Sequence, residues 1–213
     1  MDTTIHYLFD PLCGWCYGAS AGVEKLVQSG RVTLDLIPTG LFSGAGARPV
    51  DEQFAEFAWR NDQRIHELTG LPFSERYQRQ VLNNYQRPFD SGPATLALVA
   101  VYTTDPDNTF GALKAIQQAR FVDGQDVTDM DVLAALLTEL ELNSAAEMLV
   151  NQPQAAGQAR DERTTRAHEL LRRFGITGVP GFIADKGGEL QLLSGQAIYN
   201  NPQALLQELG ASL

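Results

Sequence analysis

The chain is short of cysteine, histidine and positive charge. Its 213 residues include only two cysteines and three histidines, which excludes a framework of structural disulfides. The 16 Lys and Arg residues are outnumbered by 26 Asp and Glu residues, and the net charge is −10. Such a surface repels phosphate groups, so we expect no nucleic-acid partner and no membrane partner.

The sequence also lacks long apolar runs. No stretch approaches the roughly 18 apolar residues of a membrane span. Residues 1–6 lack the basic start and the apolar stretch of a secretory signal. Together with the two closely spaced cysteines, this predicts a reducing, cytoplasmic location.

Strand signals occur only near the two ends of the chain. Residues 4–9 and 32–37 are rich in β-formers and flank a helical pattern over 13–28, which predicts a βαβ unit with parallel strands. Residues 179–184 and 189–193 predict an antiparallel hairpin. A long helix from about 154 to 174 precedes the hairpin, and a closing helix over 202–209, capped by Asn201, follows it.

The middle of the chain shows only helical patterns. One of its apolar stripes consists of Phe54, Phe57, Ala58, Ile65 and Leu68. Capping signals at Thr128 and at Ser144 with Glu147 predict two further helix starts. The order βαβ, helices, ββα is best explained by a sheet domain that a helical insertion interrupts. We predict an α/β fold with a sheet domain over 1–39 and 154–213 and an inserted helical domain over 40–153.

The two cysteines form a Cys-x-x-Cys pair, Cys13 and Cys16, between a predicted strand and a predicted helix. Thiol–disulfide exchange needs one ionised thiol and a second thiol that resolves the mixed disulfide. A helix N-terminus stabilises a thiolate through its unpaired N–H groups and its dipole. We expect Cys13 at the exposed edge as the nucleophile and Cys16, one turn further on, as the resolving thiol.

Two other interpretations of the pair remain open at this point. The cysteines could be half of a zinc site, although a structural site uses four ligands and the chain has no further cysteine. They could also be incidental thiols. No flavin, nicotinamide or phosphate-binding motif occurs, so we predict no cofactor and no metal, and electrons would come from another thiol system.

The segment from Tyr7 to Gly18, Tyr-Leu-Phe-Asp-Pro-Leu-Cys-Gly-Trp-Cys-Tyr-Gly, resembles the active-site segment of the DsbA-type disulfide oxidoreductase family. The resemblance is greatest to its cytosolic bacterial branch, described as predicted protein-disulfide isomerases. Residues 174–184, Phe-Gly-Ile-Thr-Gly-Val-Pro-Gly-Phe-Ile-Ala, are similar to the cis-proline segment of that family. The resemblance implies a thioredoxin-like fold with a helical insertion.

The same resemblance implies roles for particular residues. Cys13 would attack the substrate disulfide and Cys16 would resolve it. Pro180, in a cis peptide bond after Val179, would lie against the cysteines, and the backbone of Val179 would pair with an extended substrate. Gly14 and Trp15 lie between the cysteines and belong to the predicted substrate-binding set, and Trp15 either contacts apolar groups of the substrate or packs on the inserted domain.

The sequence departs from the family pattern at two places. Gly14 and Trp15 stand where strongly oxidising members have Pro-His, which favours reduction or isomerisation. Tyr7 stands where many thioredoxin relatives have a buried acidic residue, six positions before the first cysteine. Asp10 is nearer to the pair and either acts as a proton acceptor or simply turns the chain.

The leading functional prediction is a thiol–disulfide oxidoreductase or isomerase that acts on protein or peptide disulfides. Its reductant would be glutathione or a thioredoxin-type protein. One alternative is glutathione-dependent transferase or isomerase chemistry of the kappa-class type, in which a serine stands in place of Cys13. Another is a non-enzymatic adaptor, which would keep its function after Cys13→Ser.

Overall fold

The computed structural model of the protein describes residues 3–211. Its strands form a four-stranded sheet in the order β2-β1-β3-β4. The strands are β1 (Thr3–Phe9), β2 (Val32–Pro38), β3 (Gly181–Lys186) and β4 (Glu189–Leu192). β1 is parallel to β2 and antiparallel to β3, and β3 is antiparallel to β4. Both the parallel βαβ unit and the antiparallel hairpin are therefore confirmed.

The helices surround this sheet and fill the middle of the chain. In chain order they are α1 (Gly14–Gln28), α2 (Glu52–Thr69), α3 (Glu75–Tyr77), α4 (Gly92–Thr104), α5 (Thr109–Phe121), α6 (Met130–Glu139), α7 (Asn143–Asn151), α8 (Pro153–Phe174), α9 (Ala197–Asn200) and α10 (Pro202–Ala211). α3 continues directly into a π-helical turn, Gln78–Leu82. None of the helices within residues 3–211 has the length and apolarity needed to cross a membrane.

The sheet is buried on both faces. Every residue of β1 from Ile5 to Phe9 is buried, as expected for a central strand with helices on both sides. In the insertion, α4 takes the central position. Its buried residues point in all directions around the helix axis, and it packs against α5, α6, α7 and α8. The mixed sheet with its helical insertion confirms the predicted fold class. The exact domain boundaries at 39/40 and 153/154 stay a prediction.

Several predicted element ends were wrong. β3 begins at Gly181, so Val179 lies in the loop before the strand. The cap of α6 is Asp129, whose side chain accepts a hydrogen bond from the N–H of Asp131. Thr128 instead donates its hydroxyl to Asp126.

One further start signal also failed. α7 begins one residue before Ser144, with Leu142 at the cap position and no side-chain cap, so the predicted capping box does not form. Asn201 ends α9, a short helix that the sequence did not indicate, and it also directly precedes α10, which begins at Pro202 as predicted. At α6, Asp126 and Asp129 both accept from nearby backbone N–H groups, so these neighbouring polar residues compete with Thr128 for the cap position.

Candidate active site

The sheet brings the two sequence motifs together. Because β1 and β3 are antiparallel, the end of β1 lies beside the start of β3, and Leu8 pairs with Gly181. The chain then turns after β1 into the cysteine pair, while the loop before β3 carries the proline segment. The Cys13 thiol donates to the carbonyl oxygen of Val179, with Sγ and O separated by 3.7 Å. The Val179–Pro180 bond is cis, as the family resemblance implies.

The two thiols differ in position and exposure. Cys13 is the N-cap residue of α1 with extended backbone angles, and its carbonyl accepts from the N–H groups of Cys16 and Tyr17 at 3.0 and 3.1 Å. Cys13 is 8% exposed and Cys16 is 1% exposed. The prediction that Cys13 lies at an exposed edge was thus too strong, because the Val179 loop covers much of it. Cys13 is still the more accessible of the two thiols.

Cys16 is held in its neutral form. Burial raises the pKa of its thiol well above the usual value, and the neighbouring Cys13 raises it further. The hydroxyl of Tyr7 donates to the Cys16 carbonyl at 3.2 Å. Burial also raises the pKa of Tyr7, so this residue can donate but cannot take up the proton-acceptor role of the acidic residue in thioredoxin relatives.

Asp10 is fully buried at the turn between β1 and the cysteines. Its carboxylate accepts from the N–H groups of Leu12 and Phe42 at 2.9 and 3.1 Å and from the Ser91 hydroxyl at 2.7 Å. Burial raises the pKa of Asp10, and these three donors oppose the rise. Asp10 therefore ties the turn to the inserted segment, a positional role that the sequence suggested only in part.

Sequence reasoning missed a second buried carboxyl group, on the helical side of the pair. Asp62 of α2 is 5% exposed, and its Oδ2 accepts from the Tyr77 hydroxyl at 3.0 Å. A Cβ atom built on Gly14 would lie 2.4 Å from Asp62 Oδ1, so the carboxylate presses against the first residue of α1. Burial raises the pKa of Asp62 to about 7, against the lowering effects of Tyr77 and Arg120.

Arg120 of α5 is the buried cation of this region. It is 2% exposed, and its guanidinium carbon lies 5.5 Å from the ring centre of Tyr77 and 5.3 Å from that of Phe89. Its charge lowers the pKa of both Asp10 and Asp62. Arg120 therefore compensates two buried carboxyl groups near the cysteine pair. One is Asp10, in the turn after β1, and the other is Asp62, on α2.

Aromatic residues flank the pair. Trp15 meets Tyr199 of α9 edge-on, with ring centres 5.6 Å apart, and the Tyr199 hydroxyl donates to the Trp15 carbonyl at 3.0 Å. Tyr17 stacks on Phe121 at 4.9 Å and donates to the Pro72 carbonyl at 3.2 Å. Tyr17 thus joins α1 to the inserted helices.

The histidines have other partners. His6 bonds Asp35 through Nδ1 at 2.8 Å, His66 bonds the Leu71 carbonyl oxygen, and His168 bonds that of Thr39. Within residues 3–211 no group of three or more His, Cys, Asp or Glu side chains could hold a metal ion. The cysteine pair therefore has no zinc-type ligand set around it in the described part of the chain.

Comparisons with known proteins agree with this geometry. The profile of the DSBA-like thioredoxin domain matches residues 4–207. The cytosolic disulfide reductase DsbM from Pseudomonas aeruginosa is 30% identical, with a TM-score of 0.86 and 98% of each chain covered. A second structure of that protein, with GSH, gives a TM-score of 0.84 at the same identity and coverage.

A more distant structure shares the fold alone. A 2-hydroxychromene-2-carboxylate isomerase is 19% identical, with a TM-score of 0.63 over 98% of this chain and 97% of the other. No curated protein sequence matches the chain. The family profile covers almost the whole sequence and includes both motifs that meet at the site. The chain therefore belongs to the DSBA-like thioredoxin domain family of thiol–disulfide oxidoreductases.

Proposed function

We propose that the chain reduces disulfide bonds in proteins or peptides, with Cys13 as the nucleophile and Cys16 as the resolving thiol. The observation that carries the proposal is the position of Cys13. Cys13 occupies the N-cap position of α1, and its Sγ lies 3.7 Å from the Val179 carbonyl oxygen. A reactive thiol is thereby placed beside a backbone segment that could hold a substrate.

The helix start supplies the activation that the first step needs. The unpaired N–H groups of the first turn of α1 and the helix dipole favour a negative charge at Cys13. No side chain caps this helix, so the thiolate itself would take that place. Cys16 is buried and neutral, which leaves Cys13 as the group that attacks first.

The exchange proceeds in two balanced steps. The Cys13 thiolate attacks one sulfur of the substrate disulfide, which forms a mixed disulfide and releases the other substrate sulfur as a thiolate. Cys16 then loses its proton to that released thiolate and attacks Cys13. This forms the Cys13–Cys16 disulfide, and the second substrate thiol leaves. Two electrons pass from the protein dithiol to the substrate.

Substrate would bind along the loop before β3. Val179 precedes β3, whose pairing with β1 begins at Gly181, so the ladder of the sheet does not use its backbone groups. An extended peptide can hydrogen-bond to such a segment as an added strand. Pro180 would fix that segment, and Gly14 and Trp15 would form the adjoining surface between the two cysteines.

Glutathione is the proposed electron donor, and the cytoplasm the proposed location. The similar protein from Pseudomonas aeruginosa is named a cytosolic disulfide reductase, and one of its structures is with GSH. Two glutathione molecules would return the Cys13–Cys16 disulfide to the dithiol and leave as one oxidised glutathione. In a compartment whose thiols are kept reduced, flux runs toward substrate reduction.

The experiment is insulin-disulfide reduction with glutathione as donor. We expect turnover by the wild type, the uncatalysed rate for Cys13→Ser, and single-turnover behaviour for Cys16→Ser, because the last variant can form the mixed disulfide but cannot resolve it. A parallel assay with scrambled ribonuclease separates isomerisation from net reduction. Equal rates for the wild type and Cys13→Ser would contradict the proposal.

A further inference from the structure

The exchange steps above make no use of the buried carboxyl group of Asp62. This residue belongs to α2 of the helical insertion, yet its Oδ1 lies where a side chain on Gly14 would begin, 2.4 Å from the built Cβ position. The same Cβ would lie 3.1 Å from Ile65 Cδ1. The side chains of α2 therefore exclude larger residues at position 14 and bring a carboxyl group to the first turn of α1.

A hydrogen bond fixes the orientation of Asp62. The Tyr77 hydroxyl donates to Oδ2 at 3.0 Å, and the ring of Tyr77 is itself buried between Trp59, Phe73 and Phe121. Because one oxygen is held by Tyr77, the other is directed at Gly14. The contact is thus a fixed feature of the packed interior.

The charged and titratable groups near Asp62 come from three other elements. Tyr77 of α3 and Arg120 of α5 favour its ionised form, and burial opposes it, which raises the pKa of Asp62 to about 7. Cys13 stands at the start of α1, next to Gly14, against which Asp62 lies. Near neutral pH both charge states of Asp62 are therefore populated.

A negative charge on Asp62 and a negative charge on Cys13 disfavour each other. Asp62 lies against Gly14, the residue that follows Cys13, so the two negative charges would repel each other in an interior of low dielectric constant. We propose that Asp62 is a positioning residue that tunes the redox pair: its carboxylate disfavours the Cys13 thiolate and so makes the dithiol a stronger reductant. This inference rests on the proposed exchange at Cys13, and Asp62 itself forms no bond with the substrate.

The direction of the effect follows from linkage. A protein that stabilises the thiolate stabilises the reduced form, which makes the disulfide a stronger oxidant. Asp62→Asn keeps an acceptor for Tyr77 but removes the charge. We expect the equilibrium with glutathione to shift about tenfold toward the dithiol, which corresponds to a potential about 30 mV higher.

The test is a redox titration against glutathione, read by mass after thiol alkylation, together with the pH profile of alkylation of the reduced protein. The variants are Asp62→Asn and, as a matched control, Glu67→Gln, which removes one negative charge from an exposed position of the same helix. We expect Glu67→Gln to match the wild type in both measurements. In the wild type, the titration of Asp62 near pH 7 should broaden the pH profile of alkylation. We expect this broadening to be absent from the profile of Asp62→Asn.

A second variant covers the case in which Asp62→Asn does not fold. Tyr77→Phe keeps the ring but removes the donor that favours the carboxylate, so Asp62 stays protonated to higher pH and the shift has the same direction as in Asp62→Asn. If neither variant differs from Glu67→Gln while the wild type reduces insulin, the inference about Asp62 is wrong and the proposed function stands. A wild type that reduces no disulfide would overturn the function instead, since the titration and the alkylation profile do not depend on turnover.

Discussion

The two sides of the cysteine pair are built from different kinds of group. On the sheet side, the thiols meet backbone atoms and neutral hydroxyls. The Val179 carbonyl lies 3.7 Å from Cys13 Sγ, and Tyr7 donates to the Cys16 carbonyl. On the helical side, the carboxyl group of Asp62 lies against Gly14 in the first turn of α1, and Arg120 compensates its charge. Asp62 and Arg120 are both almost fully buried. The sheet therefore supplies the position of the sulfur atoms, and the insertion places a buried carboxyl group and its compensating cation beside the first turn of α1.

The largest expected effect comes from removing the cation of the helical side. Arg120→Met leaves Asp10 and Asp62 without the charge that lowers their pKa values. Removing one member of a buried charged set costs about 3 to 5 kcal/mol of the free energy of unfolding. Urea denaturation would measure the loss. The exposed pair of Arg79 and Glu75 provides the control, because Arg79→Met should change stability by less than about 0.5 kcal/mol.

The next effect is the pH dependence of stability that Asp62 causes. In the folded protein its pKa is raised from 3.8 to about 7, so between these values the folded state binds a proton that the unfolded state has lost. Stability therefore falls as the pH rises through this window, by up to about 1.4 kcal/mol per pH unit. Denaturation at several pH values should show a smaller fall for Asp62→Asn. Parallel curves for the two proteins would contradict the assignment.

A side chain at position 14 should disturb the contact between α1 and α2. The added Cβ of Gly14→Ala would meet Asp62 Oδ1 at 2.4 Å, and overpacking of this kind costs about 1 to 3 kcal/mol. Thermal unfolding would measure the change. Gly111→Ala on α5 is the control, because its Cβ would meet nothing within 4 Å. The loss at Gly14 should shrink when Asp62 is also replaced by alanine, and full additivity would show that the two residues do not touch.

The smallest effect is expected on the sheet side. Tyr7→Phe removes the hydrogen bond to the Cys16 carbonyl and keeps the stacked contact with Phe182 at 5.0 Å. The free energy of unfolding should fall by about 1 kcal/mol. Because no charge is lost, the equilibrium with glutathione should stay unchanged. A redox shift as large as that of Asp62→Asn would mean that the two sides of the pair do not differ as described.

The part of the site that lies within one continuous segment was predictable. A strand, a turn and a helix over residues 4–28 placed Cys13 and Cys16 correctly because each step depends on local signals. The meeting of this segment with Val179 and Pro180 required the family resemblance. Which residues face each other across a sheet depends on strand order, and short strand patterns do not specify that order.

The buried carboxyl group on the helical side of the pair was not predicted, although the sequence of α2 contains a weak signal for it. The apolar residues at helical spacing in α2 include Phe57 and Leu68, yet these are 56% and 43% exposed. Of the predicted stripe only Ile65 is fully buried, and the buried face also contains Ala55 and Asp62. Asp62 lies three positions before Ile65, so the helical period places a charged residue on the buried stripe. A search for apolar residues at helical spacing does not find Asp62, because this residue is charged and packs against Gly14 on another element.

The most direct test of Cys13 as the nucleophile is to trap the first covalent intermediate. Cys16→Ser would be mixed with oxidised glutathione and with an oxidised peptide, and the product mapped by mass spectrometry after digestion. We expect a mixed disulfide at Cys13 with both reagents, formed as fast as in the wild type. The reciprocal variant Cys13→Ser should form little adduct, because Cys16 is buried and neutral. Faster adduct formation at Cys16 than at Cys13 would contradict the assignment of Cys13 as the nucleophile.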